Sequence, residues 1–327
     1  MLKRKINGFE ISAVGLGCMG FSHAYGVPTE KKEAEKIIKS AYDIGYNYFD
    51  TAESYTGINT DGSISYNEEL VGNALKSVRD KVFISTKFGI SHNKDKSLST
   101  DSSPKSIKKA VEGSLKRLNT DYIDLYYQHR TDSKVSPEVV ASTMAELIKE
   151  GKIKSWGISE VNEDYLLRAH KVCPVSAIQN RYSIMARWHE KIFPIIEKLD
   201  IAFVAFSPLA NGLLSGKYTF ETVFDKKTDY RSFMPQFTKE GFEKSEVLLK
   251  LLKNMADEEN ATIGQIAIAW MLNKKPYIIP IPGSRKLERL KENLTAANII
   301  LSKEKTDEID SISEKLNFLI FSGSKIK

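Results

Sequence analysis

Apolar runs of strand length recur along this 327-residue chain, with amphipathic segments between them. The runs are Val14–Leu16, Tyr46–Phe49, Val82–Thr86, Ile123–Gln128, Ile153–Ser159, Val175–Gln179, Ile201–Phe206 and Tyr277–Pro280. They are mostly continuous rather than alternating, which is the pattern of strands covered on both faces. Between them the apolar positions switch to a 3.6-residue period. Examples are Ala34, Ile37, Ile38 and Ala41, then Ile107, Ala110, Val111, Ser114, Leu115 and Leu118, then Val140, Met144, Leu147 and Ile148. Ser103-Pro104 and Ser136-Pro137 supply a cap and a first-turn proline for two of these helices, and Gly151 closes the second. Eight strands in β-then-α order predict a (β/α)8 barrel of the TIM type; an open doubly wound sheet is the alternative. A barrel needs about 250 residues. The surplus is met by a hairpin turning at Asn7-Gly8 within Leu2–Ser12, by extra C-terminal helices and by long loops. The longest loop, Pro208–Gly241, precedes helical stretches at Glu243–Glu258 and Thr262–Leu272, and loops of that length are usually functional. With no shift of composition along it, the chain reads as one domain over residues 1–327.

One glycine pattern points elsewhere and is set aside. Gly15-Leu16-Gly17-Cys18-Met19-Gly20 spells the dinucleotide fingerprint G-x-G-x-x-G. That fingerprint works only when a helix opens within the glycines, so that its N-terminus meets a pyrophosphate. Here residues 21–28 intervene, and helical periodicity starts only after Thr29. The glycines are read instead as room for backbone to pass close to something bulky at the end of the first strand.

Composition narrows the class. With 41% hydrophobic and 28% charged residues the chain has the balance of a soluble globular protein. The basic N-terminus leads into no apolar segment of the signal-peptide kind, and no apolar run is long enough to span a bilayer. Cys18 and Cys173 make neither a CxxC pair nor a disulfide framework. A cytoplasmic protein with no membrane role is expected. The net charge of +6 is spread over helix faces that alternate with acids, so no nucleic-acid surface is predicted, although a modest positive field suits an anionic cofactor. His23, His92, His170 and His189 show no metal-ligand spacing and read as surface or packing residues; no metal site is expected.

The candidate chemistry sits where strands end. Asp50 follows the second run, with Tyr55 in the loop beyond it; Lys87 follows the third run and His129 the fourth. In a barrel these ends converge on one mouth. A lysine ending a buried strand is costly unless paired, and Asp50 on the adjacent strand is its natural partner. A cation near Tyr55 should lower the phenol from its ordinary value of about 10 and make it a better proton donor. His129 can bond the same substrate oxygen. The set suits protonation of a carbonyl oxygen while a nucleophile such as hydride reaches the carbon, an assistance worth ~10²–10⁴-fold.

These residues also carry a family resemblance. Asp50 to Tyr55, Asn67 to Gly72, Ser85 to Gly89, Ser114 to Leu118 and Asp121 to Arg130 resemble the aldo-keto reductase superfamily, from about Gly15 to Asn293. The chain looks closest to the microbial and plant branch bearing Gln-His-Arg, here Gln128-His129-Arg130, and is also similar to potassium-channel β subunits. The resemblance implies a (β/α)8 barrel and direct hydride transfer from NADPH to an aldehyde or ketone, without metal or covalent intermediate. Tyr55 would then be the general acid, Lys87 would tune it, Asp50 would pair with Lys87, and His129 would orient the carbonyl. Arg130 and Asp132 receive no role beyond packing at the rim.

The same resemblance distributes NADPH over the later strand ends. Ser159 and Gln179 would hold the nicotinamide carboxamide, and Phe206 would stack where the family usually has tyrosine. Ser207, Leu209, Asn211 and Gly212 follow, the last two read as offering exposed backbone N–H groups to a pyrophosphate. Gly283, Ser284, Arg285 and Arg289 would take a 2′-phosphate, the two arginines sharing a helix face if the helix has begun by then. Glu292 and Asn293 match positions that contact adenine, and Gly17 and Met19 complete the cofactor set. The loop from Thr56 to Tyr66 is longer than the branch usually shows, and the C-terminal tail after Ile300, with a helix pattern at Ile309, Ile312 and Leu316 and a short end over 317–327, lies where relatives close the substrate pocket. The expected partner is a small carbonyl compound and the expected assembly a monomer or weak homo-oligomer. Two other readings stand beside the reductase: a nicotinamide-binding regulatory subunit with little turnover, and a lyase using Lys87 as a Schiff base.

Overall fold

Residues 2–93 and 97–316 are described by a computed structural model. The chain opens with an antiparallel hairpin, β1 (Lys3–Ile6) and β2 (Phe9–Ser12), turning on Asn7 and Gly8, both at positive φ as a type I′ turn requires. The first barrel strand is β3 (Leu16–Gly17), and the second is β4 (Tyr48–Asp50). A hairpin of β5 (Thr56–Ile58) and β6 (Ile64–Tyr66) occupies the loop after β4, so the long Thr56–Tyr66 segment is ordered rather than irregular. The third barrel strand is β7 (Phe83–Phe88), and its loop carries a second hairpin, β8 (Ile90–His92) with β9 (Leu98–Thr100). β10 (Ile123–Gln128), β11 (Ile153–Ser159), β12 (Ala177–Arg181), β13 (Ala202–Phe206) and β14 (Ile278–Pro280) complete the set.

The eight barrel strands pair in parallel and in sequence order from β3 to β14. Gly15 N–H donates to the Pro280 carbonyl and Gly17 N–H to Pro282, closing the sheet into a (β/α)8 barrel. Gly17 and Gly283 are needed at that seam: a Cβ on Gly17 would lie 2.6 Å from the Ile281 carbonyl oxygen, and one on Gly283 would lie 2.5 Å from the Gly17 carbonyl oxygen. The bulky neighbour expected beside these glycines is therefore the last strand's own backbone. No helix opens among them; α1 (Lys31–Asp43) starts well beyond.

The sequence periodicities reappear as buried helix faces. Ala34, Ile37, Ile38 and Ala41 face inward on α1, and α2 (Asn67–Leu75) begins at the Asn67-Glu68-Glu69 start. α3 (Pro104–Leu118) is capped by the Ser103 hydroxyl on the Ser106 N–H, and α4 (Pro137–Lys149) starts at its proline. α5 (Glu163–Val172) and α6 (Phe193–Lys198) follow. After the long seventh loop come α7 (Lys239–Glu258), α8 (Ile263–Lys274), α9 (Leu287–Thr295) and α10 (Lys303–Lys315). The expected short end at 317–327 lies outside the described residues.

Two cores result. One fills the layer between strands and helices; the other, with Tyr48, Phe83, Leu125, Tyr127, Val204 and Ile279, fills the barrel interior. Ile6, Ile11 and Phe9 of the opening hairpin join the interior core and plug the end away from the strand C-termini. No helix among the described residues is long and apolar enough to cross a membrane.

Candidate active site

Register decides which side chains meet at the open end. β4 pairs with β7 so that Asp50 lies opposite Ser85, and Lys87, two residues further on, points to the same interior face. Lys87 is fully buried, its Nζ 2.5 Å from Asp50 Oδ1 and 2.7 Å from the Thr51 carbonyl. Asp50 Oδ2 accepts from Ser85 Oγ at 2.7 Å and from Gln179 Nε2 at 2.8 Å. A buried carboxylate needs this many donors, and a buried ammonium needs the carboxylate. Burial alone would push the Lys87 ammonium down, but Asp50 and Tyr55, through charge and hydrogen bonds, together outweigh it, so Lys87 lies above its ordinary value. An amine held in that state is a poor nucleophile, which disfavours the Schiff-base reading.

Tyr55 stands over this pair, with Lys87 Nζ 5.0 Å from its ring centre. Its carbonyl accepts from Ser22 Oγ at 2.9 Å and from the Asn67 N–H at 3.1 Å, which fixes the loop that carries it. The expectation that Lys87 brings the phenol below its ordinary value is corrected here. Lys87 and Arg130 do pull it down, but burial is the larger effect and Tyr55 ends above 10.0. His129 follows β10, its ring edge-on to Tyr55 at 5.7 Å between centroids. Burial, reinforced by Arg130 and Lys87, holds its imidazole well below its usual value, hence neutral. Ser54 Oγ lies 3.4 Å from Nδ1; a hydroxyl donating there leaves the proton on Nε2, the tautomer that can donate to a carbonyl oxygen.

The later strand ends face the same mouth. Ser159 and Gln179 are neighbours in the β11–β12 register, and Phe206 ends β13. Arg130 is not mere rim packing: Nη1 donates to the His129 carbonyl at 2.6 Å and to Ser159 Oγ at 3.1 Å, and the guanidinium lies 6.0 Å from the Phe206 ring centre. Asp132 is structural, accepting from the N–H groups of Ser102 and Lys134. Beyond β13, Ser207, Ala210, Asn211 and Gly212 have positive φ, and the Ala210 and Gly212 N–H groups are bonded within the turn. Leu209 sits within that turn.

Two cofactor expectations need correction. Asn211 and Gly212 are not free donors at the surface: the Gly212 N–H donates to the Leu209 carbonyl, and Asn211 is buried with its amide on Ser207, Tyr25 and Tyr230. Arg285 and Arg289 do not share a helix face, because α9 starts only at Leu287. Arg285 instead donates to the carbonyls of Gly20, Tyr25 and Val27, pinning the loop after β3 that holds Met19. Arg289 pairs with Glu292, which also accepts from Thr262; Ser284 caps the Lys286 N–H, Gly283 is at the seam and Asn293 is buried.

Two groups at the mouth were not found as site residues by sequence reasoning. Asn67 bonds Thr51 Oγ1, the Cys18 carbonyl and Ser22 Oγ, tying the loops after β3 and β4 together. His23 and His92 also converge here: the His23 ring is nearly parallel to Tyr55 at 5.9 Å and 4.9 Å from His92. Only the fold brings them together, so sequence spacing carried no signal. His170 and His189 are elsewhere, bonded to the Val175 N–H and to Asn180. Among the described residues no cluster of His, Cys, Asp or Glu is placed to hold a metal ion.

Comparison with known proteins matches this architecture. A sequence model described as the Aldo/keto reductase family covers residues 13–314. The chain is 37% identical over 310 residues to probable aldo-keto reductase 1 of Glycine max, covering 94% of this chain and 87% of that protein. Among solved structures, a glycerol dehydrogenase from Gluconobacter oxydans superposes with a TM-score of 0.85 at 30% identity over 96% of each chain. An aldo/keto reductase from Klebsiella pneumoniae, crystallised with NADP and acetate, shares the fold at a TM-score of 0.73 and 24% identity over 95% of each chain.

Proposed function

The chain belongs to the aldo/keto reductase family, and from that premise we propose that it reduces aldehydes or ketones to alcohols with NADPH, Tyr55 acting as general acid. The observation that carries the proposal is the buried Lys87–Asp50 pair set beneath Tyr55, with neutral His129 edge-on to the same phenol. Nothing in packing alone calls for a buried ammonium at this point, since replacing such a pair by apolar side chains is often neutral or stabilising.

The residues fit a nicotinamide dinucleotide. Ser159, Gln179 and Phe206 end neighbouring strands at the mouth, and the turn from Ser207 to Gly212 follows them. We assign Ser159 and Gln179 to the carboxamide, Phe206 to stacking, and Ser284 and Arg289, with Glu292 and Asn293 nearby, to the adenosine end. When bound, NADPH supplies the hydride. The protein's own part is proton delivery. Tyr55 donates to the carbonyl oxygen, His129 Nε2–H holds that oxygen in line, and Lys87 stabilises the phenolate that forms. Asp50 keeps Lys87 charged and in place. A phenol above its ordinary value stays protonated at neutral pH, so the donor is ready before substrate arrives.

The test is NADPH oxidation followed by absorbance with a panel of aldehydes and ketones, wild type beside Tyr55→Phe. The proposal expects turnover by the wild type and loss of it in Tyr55→Phe with NADPH affinity retained. Tight NADPH binding with no turnover of any carbonyl would refute it in favour of a regulatory nicotinamide-binding role.

A further inference from the structure

One acid beside the site has no part in the proton delivery described above. Resting on the reductase reading, we infer that Glu53 is a positioning residue: its carboxyl, bonded to the Gly89 N–H, sets Tyr55 and His129 against Lys87.

The loop after β4 keeps pairing with β7 beyond the end of the strand. Thr51 N–H donates to the Ser85 carbonyl at 2.9 Å and Glu53 N–H to the Lys87 carbonyl at 3.2 Å, the alternation of a parallel ladder. The next bond of that ladder would run from the Gly89 N–H to the Glu53 carbonyl. It runs instead to the Glu53 carboxyl, Oε1, at 3.0 Å. The exchange frees the main chain to turn. Tyr55 N–H closes back on the Ala52 carbonyl at 3.1 Å, and the turn carries the phenol over Lys87. Gly89, at φ +93°, bends the other chain into the β8–β9 hairpin. The two chains part here, and the carboxyl spans the gap.

The same carboxyl is linked to His129. The Gly89 N–H and the Phe88 carbonyl belong to one peptide plane, and the Phe88 carbonyl accepts from the His129 N–H at 2.9 Å. Glu53 therefore holds one edge of a rigid unit whose other edge holds His129. Its own N–H holds Lys87, and Tyr55 lies two residues further along. Glu53 acts on all three through the backbone.

The carboxyl suits this task in either protonation state. Glu68 on α2, Arg117 on α3 and the Tyr126 phenol on β10 lie around it. Burial raises it to about 7 against the pull of the Gly89 N–H, with Glu68 adding to the rise and Arg117 opposing it. Carboxylate and neutral acid both present an oxygen to an N–H, and so does an amide.

The test measures the single-turnover rate of NADPH oxidation with saturating benzaldehyde, or with the fastest aldehyde of the panel, in the wild type, Glu53→Gln and Glu53→Leu. Glutamine keeps an oxygen for the Gly89 N–H; leucine keeps a comparable volume and accepts nothing. Glu53→Leu should lower the rate by about 10²-fold, as a misplacement of about 1 Å would, with the NADPH dissociation constant within about twofold of the wild type. Glu53→Gln should restore the rate to within about threefold of the wild type. Glu53→Asp, one methylene too short to reach Gly89, should be slow as well, and it serves as the slow variant where leucine prevents folding. If Glu53 serves the fold alone, Glu53→Leu and Glu53→Asp will melt earlier yet keep the wild-type rate below their melting temperatures, and that overturns the inference. A Glu53→Gln enzyme as slow as these two overturns it too. Turnover of no aldehyde by the wild type would refute the reductase reading and this inference with it, whereas turnover that survives the loss of the acceptor refutes the inference alone.

Discussion

Replacing Lys87 by methionine tests the central electrostatic argument, because it removes a charge while keeping most of a buried volume. Lys87 Nζ lies 5.0 Å from the Tyr55 ring centre. The phenolate charge sits on the oxygen, which shares a hydrogen bond with Lys87, so at an effective dielectric of about 20 a unit charge within about 5 Å stabilises it by at least about 3 kcal/mol, equivalent to about two pKa units or about 10²-fold in rate. Lys87→Met should therefore slow single-turnover reduction by about 10²-fold at pH 7. It should also destabilise the fold, because Asp50 remains as a buried carboxylate with Ser85 and Gln179 as donors but no cation. Breaking one side of such a pair costs about 3–5 kcal/mol. Asp50→Asn should cost a similar amount by stranding the ammonium. The double variant, Asp50→Asn with Lys87→Met, strands neither charge and should lose well under the sum of the two, by about 3 kcal/mol in a urea-unfolding cycle. Additive losses would show that the two residues do not act as a unit. A Lys87→Met enzyme within threefold of the wild-type hydride-transfer rate would refute the claim that Lys87 acts on Tyr55.

Glu53 gives a pH prediction. Burial raises its carboxyl from 4.5 to about 7, against the pull of the Gly89 N–H that it accepts at 3.0 Å. The folded protein then holds a proton that the unfolded chain has released, so stability should fall as pH rises from about 4.5 to about 7, by about 3 kcal/mol. Glu53→Gln should flatten that part of the stability profile; an unchanged slope in urea melts would contradict it. For the cofactor end, Arg285→Ala should raise the dissociation constants of NADPH and NADH alike, since Arg285 holds the loop at Gly20, Tyr25 and Val27, whereas Arg289→Ala should raise that of NADPH only. Equal effects of the two substitutions on cofactor preference would reverse that division of roles. Gly57→Ala would put a Cβ 2.0 Å from the Ser22 carbonyl oxygen, so the β5–β6 hairpin must shift away from the His23 loop, and KM for carbonyl substrates should rise at least tenfold. Unaltered KM would mean that this contact does not shape the mouth.

The barrel was legible in the sequence because burial acts run by run. A strand such as Ile123–Gln128, buried along its whole length, has to be recruited as a unit, and its boundaries follow from composition. The Asp50–Lys87 pair was legible for a related reason: a lysine at the end of a buried strand leaves one economical partner. What was not legible depends on how separate loops meet. The hairpins after β4 and β7 have strands of three residues, with Ile58 and Ile64 exposed on the first and Ile90 and Leu98 buried on the second, so neither has an apolar run long enough to announce it. Whether Tyr55 moves up or down depends on the sum of burial over every surrounding element, against one visible cation. Whether Arg285 joins a helix face depends on a chain start two residues later, fixed by Ser284 and Lys286.

His23 shows what this difference means for function. Gly17, at the end of β3, is constrained by the Ile281 backbone, and Asp50 and Lys87 are constrained by each other, so change at those positions is costly to fold and chemistry together. His23 is held by loop contacts: Nδ1 on the Thr56 carbonyl, the backbone N–H on the Met19 carbonyl, and the ring beside Tyr55 and His92. The parts of this protein that sequence periodicity reveals are thus those that preserve the reaction. The parts that it conceals are the facing loops after β3, β4 and β7, which meet beside Tyr55.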